Sequence, residues 1–264
     1  MGGIRLLARY TLLAVLFITV SLAFNSLEAA GIAGGVTVEV VWVAKLHSVT
    51  HPSDLCSSGD VLYMVGSSGS PPDYMFVVEA RGVDGRPVGV WSFNPTSLPD
   101  ELLSCTFHNG RLYVVGVENV DPEGAPGDTK WAIAVFDKDL NLISYTSYNP
   151  SPGRDTALLV VGGDRLVYVV GLVDYTLHKP IESYRVEARD PETLELVRAL
   201  ELPGQPFNAE FNVATGQLWI VGSHGGLVKV DIVDSSLEHV KTVTLGRAGE
   251  CRALAFDGDG NAYI

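Results

Sequence analysis

The sequence predicts an all-β chain made of β-propeller blades, and three observations carry that reading. A valine-rich segment with one aromatic residue and a closing glycine recurs as VLYMVG ending at Gly66, RLYVVG at Gly116, LVYVVG at Gly171 and QLWIVG at Gly222, with a partial copy, NAYI, at Ile264. Its aromatics, Tyr63, Tyr113, Tyr168, Trp219 and Tyr263, stand 50, 55, 51 and 44 residues apart, a period that suits one four-stranded blade per copy. After the N-terminal region no long amphipathic helical pattern appears. A lone four-stranded sheet leaves a face uncovered, whereas radial stacking buries both.

The N-terminus comes first. Arg5 and Arg9 precede an apolar run over residues 10–24 and the small-residue stretch 29–35, the layout of a secretory signal peptide. Residues 1–30 are therefore expected to be a cleaved signal or a retained membrane anchor, and residues 31–264 the propeller domain outside the cytoplasm. Residues 36–46 (VTVEVVWVAKL) read as an outer fourth strand that completes the last blade.

The second repeat shows a whole blade. Strand-like segments 102–108 and 112–117 flank the turn His108-Asn109-Gly110-Arg111, a long loop crosses 121–127, and segments 131–137 and 142–148 flank Lys138-Asp139-Leu140-Asn141. Gly, Asn and Asp supply the positive φ that tight hairpins need. The other first turns lie at 57–60, 162–165, 214–217 and 257–261, and the other second turns at 83–86, 190–193 and 234–237. Residues 252–264 supply only a first strand and most of a second. Either the ring closes imperfectly with five blades, or the chain is the N-terminal part of a longer propeller; the second is expected, because Ile264 falls inside the motif.

Phrases such as NGRLYVVG, DGDGNAYI and WAIAVFDKDLNL resemble exported β-propeller repeat proteins of the NHL and SBBP type, over about residues 36–264. The resemblance implies a fold and no chemistry, since the matching residues are turn glycines, a packing aromatic and a glycine at the strand end. The Gly-His and Trp-Asp signatures of WD40 blades and the repeated double glycine of kelch blades are absent.

Composition narrows the partners. Without Arg5, Arg9 and Glu28 the chain keeps 16 basic and 30 acidic residues, a net charge of −14, which repels nucleic acid and anionic membrane surfaces. Three cysteines are too few for a disulfide-built fold, and 47% hydrophobic content suffices for an apolar core. Cys56, Cys105 and Cys251 are read as small buried hydrophobes, although export permits their oxidation, which would leave a third cysteine unpaired.

One face carries the functional expectation. Turns joining first to second and third to fourth strands are short. The opposite connections, 67–73, 117–129, 172–182 and the blade links 94–101, 149–155, 203–208 and 246–250, are longer and richer in proline and charge. Counting 13 residues back from Tyr113, Tyr168 and Tyr263 reaches Asp100, Asp155 and Glu250, while Trp219 gives Pro206 and the first repeat, aligned by matching Cys56 to Cys105, gives His51. Asp100, Asp155 and Glu250 are thus placed at a channel mouth, with Glu101, Arg154, Asn208, Glu210 and Arg252 as neighbours. They read either as acceptors for a cation, calcium being the metal such a set would take, or for a basic or polyhydroxylated ligand, or as solvated loop residues paired with Arg154 and Arg252.

Other signals are weak. Asp257, Asp259 and Asn261 begin an EF-hand-like pattern, but Ala262 stands where glycine is needed, so a hairpin turn is expected. His47 and His51 precede Pro52 on no helix, and no G-x-S-x-G elbow occurs. The reading is an extracytoplasmic, non-catalytic binding or interaction module for a protein, glycan or small ligand, with no cofactor. Its rivals are a propeller lyase, hydrolase or quinoprotein with a channel-mouth site, and a surface-layer or adhesion component.

Overall fold

In a computed structural model, the protein is described at residues 46, 48–119, 127–176, 179–247 and 251–264; the expected signal region, the expected strand over residues 36–45, His47 and Glu250 lie outside these. Every described element is a strand. Blade 1 comprises β1 (His51–Ser57), β2 (Val61–Ser70), β3 (Asp73–Gly82) and β4 (Pro87–Phe93). Blade 2 comprises β5 (Glu101–His108), β6 (Arg111–Asn119), β7 (Thr129–Asp137) and β8 (Leu142–Tyr148). Blade 3 comprises β9 (Arg154–Gly162), β10 (Val167–Tyr175), β11 (Ser183–Arg189) and β12 (Leu196–Pro203), and blade 4 β13 (Gln205–Asn212), β14 (Gln217–His224), β15 (Leu227–Asp234) and β16 (His239–Arg247). A final hairpin pairs β17 (Ala255–Phe256) with β18 (Ala262–Tyr263). Each blade is an antiparallel meander, and one parallel bridge, Thr129 with Arg154, links blades 2 and 3.

The first strands of successive blades lie against one another, the outermost strands are largely exposed, and apolar clusters fill the gaps between blades. This is a propeller arrangement of four whole blades and the first hairpin of another. Blade 1 to blade 2 is closed by Tyr63, Phe76, Leu112 and Phe136, blade 2 to 3 by Tyr113, Trp131 and Val169, and blade 3 to 4 by Tyr168, Tyr184 and Ile220.

A shared latch holds these gaps. The recurring tyrosines are buried to within 1%, yet each hydroxyl reaches the next blade's second turn. Tyr63 donates to the Lys138 carbonyl at 2.8 Å, Tyr113 to Pro191 at 2.9 Å and Tyr168 to Ser235 at 3.1 Å, which satisfies a polar atom that burial would otherwise leave unpaired. The same three turns hold Leu140, Leu194 and Leu237 in the left-handed region, at φ 63°, 60° and 58°. Each leucine is buried in the gap beside its tyrosine. Trp219 departs from the pattern of the tyrosines: it is only partly buried, and its Nε1 has no partner among the described residues.

The repeating glycine is not at a strand end, contrary to the sequence reading. Gly66, Gly116, Gly171 and Gly222 sit mid-strand, opposite Pro52, Leu102, Ala157 and Pro206, where every first strand carries a β-bulge. A Cβ there would fall 2.0 to 2.3 Å from the carbonyl oxygens of His51, Glu101, Thr156 and Gln205. Close backbone approach, not φ, requires the glycine.

Register also corrects the repeat alignment. Tyr63 faces Cys56, Tyr113 faces Thr106 and Trp219 faces Glu210, so Cys56 corresponds to Thr106 and not to Cys105. The two cysteines face each other from neighbouring first strands and form a disulfide, with Cα atoms 5.9 Å apart, which decides a redox state the sequence leaves open. Cys251 is free. Residues 67–73, expected as a loop, are paired strand up to a turn at Pro71-Pro72.

Candidate functional site

The long-loop face is built by aspartates that tie it down. Asp100 is fully buried at the start of β5. Its Oδ2 accepts from the Thr96 N–H and hydroxyl at 3.1 and 2.9 Å, and its Oδ1 from the Asn119 N–H at 2.8 Å. Its own N–H donates to the Tyr74 carbonyl of blade 1. One residue thereby joins the blade link, the end of β6 and the preceding blade. Asp155, also fully buried, repeats the arrangement: Ser151 donates through its N–H at 2.9 Å and its hydroxyl at 2.6 Å, Asp174 through its N–H at 2.9 Å, and the Asp155 backbone exchanges hydrogen bonds with Thr129 Oγ1. A Thr or Ser four residues before the aspartate is what makes the clamp.

Burial dominates both carboxyls. Loss of water pushes Asp100 up to about 6 against the pull of its three donors, with Glu118 adding a little repulsion; Asp155 is raised by the same desolvation, with Asp128 the last contributor. The expected upward shift is present, but its leading cause is desolvation and not repulsion among converging carboxylates. The register moves the corresponding position to Thr50 in blade 1 and Gly204 in blade 4, replacing His51 and Pro206. Blade 4 differs because its first hairpin is longer. Gly204 keeps the backbone half of the clamp, donating to the Glu182 carbonyl at 2.7 Å.

The other predicted residues are scattered along this rim. Glu101 accepts a long bond from the Ser53 hydroxyl. Arg154 lies over the Tyr175 ring at 5.7 Å with its Nε unpartnered, and makes no ion pair with Asp155 among the described residues. Asn208 follows the β13 bulge opposite Val221, half-buried, and Arg252 is exposed. Glu250 lies outside the described residues. No group of three or more His, Cys, Asp or Glu placed to hold a metal occurs among those described. Asp257 uses both oxygens inside its own hairpin, on Asp259, Asn261 and Tyr263.

A cavity of about 290 Å³ opens between the blade 1 to blade 2 link and the top of blade 2, lined by Pro95, Thr96, Leu98, Glu118, Asn119 and Lys130 among others. Asp100 holds two of its walls, Thr96 and Asn119. The Glu118 side chain is about 11% exposed; Tyr145 donates to its Oε2 at 2.5 Å, and Lys130 stands 3.7 Å from its Oε1 across the strand pair. Sequence reasoning missed Glu118, Lys130 and Tyr145. The available signal was Glu118 itself, an acid two residues past the recurring glycine where other blades carry Ser68, Val173 and His224. Glu210 on β13 is pushed up to about 7 by the protein crowded round it, although the residue keeps open contact with water, which softens that effect.

The chain matches no protein-family model, and no curated protein is significantly similar to it in sequence. Its fold is shared by solved structures. Hydrazine synthase from Kuenenia stuttgartiensis is 16% identical, with 87% of this chain and 57% of that one covered at a TM-score of 0.54. The Dos1 propeller is 13% identical over 80% of this chain and 63% of its own, at a TM-score of 0.40. This chain thus spans little more than half of the hydrazine synthase chain. At such identity the likeness shows the propeller fold and nothing of activity.

Proposed function

We propose that this chain is an exported propeller with NHL/SBBP-type blades that acts as a non-catalytic binding module, presenting its long-loop face to a protein, glycan or small ligand. The observation that carries it is the clamped rim: Asp100 and Asp155 fix otherwise irregular loops to rigid blades, and between those loops lies a cavity with an oriented Glu118 and an adjacent Lys130. Fixed donors and acceptors on a rigid scaffold favour recognition, because little ordering entropy is lost on binding. Glu101, Arg154, Asn208 and Arg252 lie on the same rim and extend the surface, whereas Asp100 and Asp155 are buried and their carboxylates are taken up by the clamp, so they shape the rim and are not offered as ligands. Export is supported by the Cys56–Cys105 disulfide, since such bonds persist in oxidising compartments.

Two experiments test this. Residues 1–35 fused to an alkaline phosphatase that is active only outside the cytoplasm should give activity; an inactive fusion would overturn export. Purified protein and the Glu118→Gln/Lys130→Ala variant should be compared on glycan and peptide arrays, with Lys138→Ala on the opposite face as control. Signals kept by the control and lost in the double variant support the reading. Identical signals from all three would overturn this cavity as the binding site.

A catalytic reading is favoured by one observation, the Glu210 carboxyl, which desolvation raises while the residue keeps the contact with water that a proton-transferring acid needs. Glu210→Gln should then abolish turnover of any substrate found while leaving its binding intact.

A further inference from the structure

The cavity at the top of blade 2 presents one donor and one acceptor that do not bond each other. Glu118 and Lys130 stand opposite across the β6–β7 pair. The Tyr145 hydroxyl donates to Glu118 Oε2 and fixes the carboxylate, which leaves Oε1 on the side of Lys130 Nζ. The two atoms are 3.7 Å apart, too far for a direct hydrogen bond, and neither makes one elsewhere among the described residues, although Glu118 is only 8% exposed. Other polar groups of the walls are already engaged: the Thr96 hydroxyl and the Asn119 N–H on Asp100, and the Asn119 side-chain amide on the Pro99 carbonyl. The Ser97 hydroxyl makes no hydrogen bond among the described residues, and Pro95 and Leu98 add apolar surface beside it.

We infer that this cavity takes one ring of a neutral sugar, with a ring hydroxyl bridging Lys130 and Glu118: its oxygen accepts from Nζ and its O–H donates to Oε1. The inference rests on the reading of the cavity as the binding site and adds the chemical class of the ligand. A single oxygen about 2.8 Å from each atom spans the 3.7 Å gap with two bonds of ordinary length. Charge selects a neutral group. An anion is repelled by Glu118 and by a chain of net charge −13; a cation needs a carboxylate oxygen, and Oε2 is held by Tyr145 while Oε1 already faces the Lys130 charge. A hydroxyl is donor and acceptor at once, so it uses both groups. A sugar ring carries several hydroxyls on an apolar frame, which matches Glu118, Lys130 and Ser97 set beside Pro95 and Leu98, whereas a serine or threonine side chain of a peptide brings only one. A volume of about 290 Å³ lies at the lower end of ligand pockets, roughly 300 Å³, and suits a single ring.

The test titrates the whole chain, followed by amide NMR, with glucose, galactose, mannose and N-acetylglucosamine, with glucosamine and glucuronate as charged counterparts, and with a peptide rich in serine and threonine. The expected result is that at least one neutral sugar shifts the Thr96, Leu98 and Asn119 amides, with an affinity that added salt leaves unchanged because no net charge is screened. Glu118→Gln and Lys130→Met should each weaken that binding about tenfold or more, while Lys138→Ala on the opposite face leaves it intact; an unchanged Tm shows that a variant is folded. Should Glu118→Gln unfold, Lys130→Met carries the comparison, since that side chain is 35% exposed. The inference is overturned if the neutral sugars move nothing while glucosamine, glucuronate or the peptide shifts these same amides, a result that leaves the cavity standing as a binding site. It is equally overturned if the sugars shift amides elsewhere, or bind folded Lys130→Met and Glu118→Gln as tightly as the native protein. If no probe of any class moves these amides, the cavity itself fails as a binding site and the sugar falls with it.

Discussion

Aspartate does the same work on both faces of this molecule and answers to opposite physics. On the short-turn face, Asp137, Asp190 and Asp257 cap hairpins in open water, and the hydrogen bonds they accept hold their carboxyls below the usual range, Asn141, Thr193 and Asn261 being the leading donors. On the long-loop face, Asp100 and Asp155 also accept from neighbouring N–H and hydroxyl groups, but burial outweighs those bonds and pushes them up. The number of donors is similar; the access of water differs. The short-turn face is therefore built to be held by ionised carboxylates at neutral pH, and the long-loop face carries carboxylates that resist ionisation.

Glycine draws the same contrast, and here the largest effect is expected. Gly116 faces the bulge of β5, where a Cβ would stand 2.0 Å from the Glu101 carbonyl and 2.8 Å from Leu102 Cα. Gly110, in the first turn of the same blade, has φ 78° and open space around it. Gly116→Ala must displace backbone in the middle of a sheet and should cost more than about 3 kcal/mol. Gly110→Ala meets only the left-handed penalty, about 1 kcal/mol. Urea unfolding of both variants checks this, and equal losses would show that the bulge yields to a methyl group.

The next effect is the pH response of the clamp. The Asp100 pKa is raised from its model-compound value of 3.8 to about 6 in the folded protein, so the folded state holds the proton more tightly than the unfolded one. The stability this contributes is present in full below about pH 3.8 and is lost as pH rises through about 6. Against Asp100→Asn, the native protein should lose a relative stability on the order of 2–3 kcal/mol between pH 4 and pH 7. A difference that stays constant over that interval would mean that Asp100 is open to water, and the contrast between the faces would fail.

The propeller was legible in the sequence because its signals are local: an aromatic at a fixed step and turns marked by Gly, Asn and Asp. Register was not. The first hairpins of blades 1 and 2 have the same length, since Tyr63 faces Cys56 and Tyr113 faces Thr106, but the recurring cysteine drew the alignment to Cys105 and with it a turn one residue too short; that offset is what lets Cys56 and Cys105 meet in a disulfide. Asp100 and Asp155 stood out by recurrence, but their clamping role depends on Thr96 and Ser151 folding back by one turn. Such a local bond is readable from Thr-x-x-x-Asp and Ser-x-x-x-Asp only once the loop is known to be covered. The cavity was least legible, since Glu118, Lys130 and Tyr145 come from three strands and meet only through cross-strand pairing.

A smaller effect separates the latched gaps from the unlatched one. Tyr168→Phe removes a buried hydroxyl and leaves the Ser235 carbonyl without its donor, for a loss of about 1 kcal/mol. Trp219→Phe removes an N–H that bonds nothing among the described residues, so its cost should come from lost packing area, with no hydrogen bond lost. Replacing Trp219 by the isosteric benzothiophene analogue, which keeps the ring and deletes the donor, isolates the effect of the N–H. A gain in stability is expected, because the buried donor no longer has to leave water without a partner, and a loss comparable to Tyr168→Phe would reveal a partner for Nε1.

The smallest effect belongs to the short-turn face. Asp137 accepts from the N–H groups of Asp139 and Asn141 and from the Asn141 side chain, and its pKa is lowered in the fold. A lowered carboxyl contributes stability above its unfolded value, near 3.8, and loses it as pH falls through the folded value. The sign is opposite to that of Asp100. Asn at this position keeps an oxygen for the two backbone donors but gives up the charge and the acceptor for the Asn141 side chain, so Asp137→Asn should be less stable than the native protein at pH 7, by a margin that shrinks as pH falls and Asp137 is protonated. Full exposure and solvent screening keep the difference small. Urea midpoints for native, Asp137→Asn and Asp100→Asn proteins at pH 3, 5 and 7 place the two faces on one plot: the native-minus-variant difference should rise with pH for Asp137 and fall for Asp100. Parallel slopes would mean that water reaches both faces equally, and the long-loop rim would then be no drier than the turns opposite it.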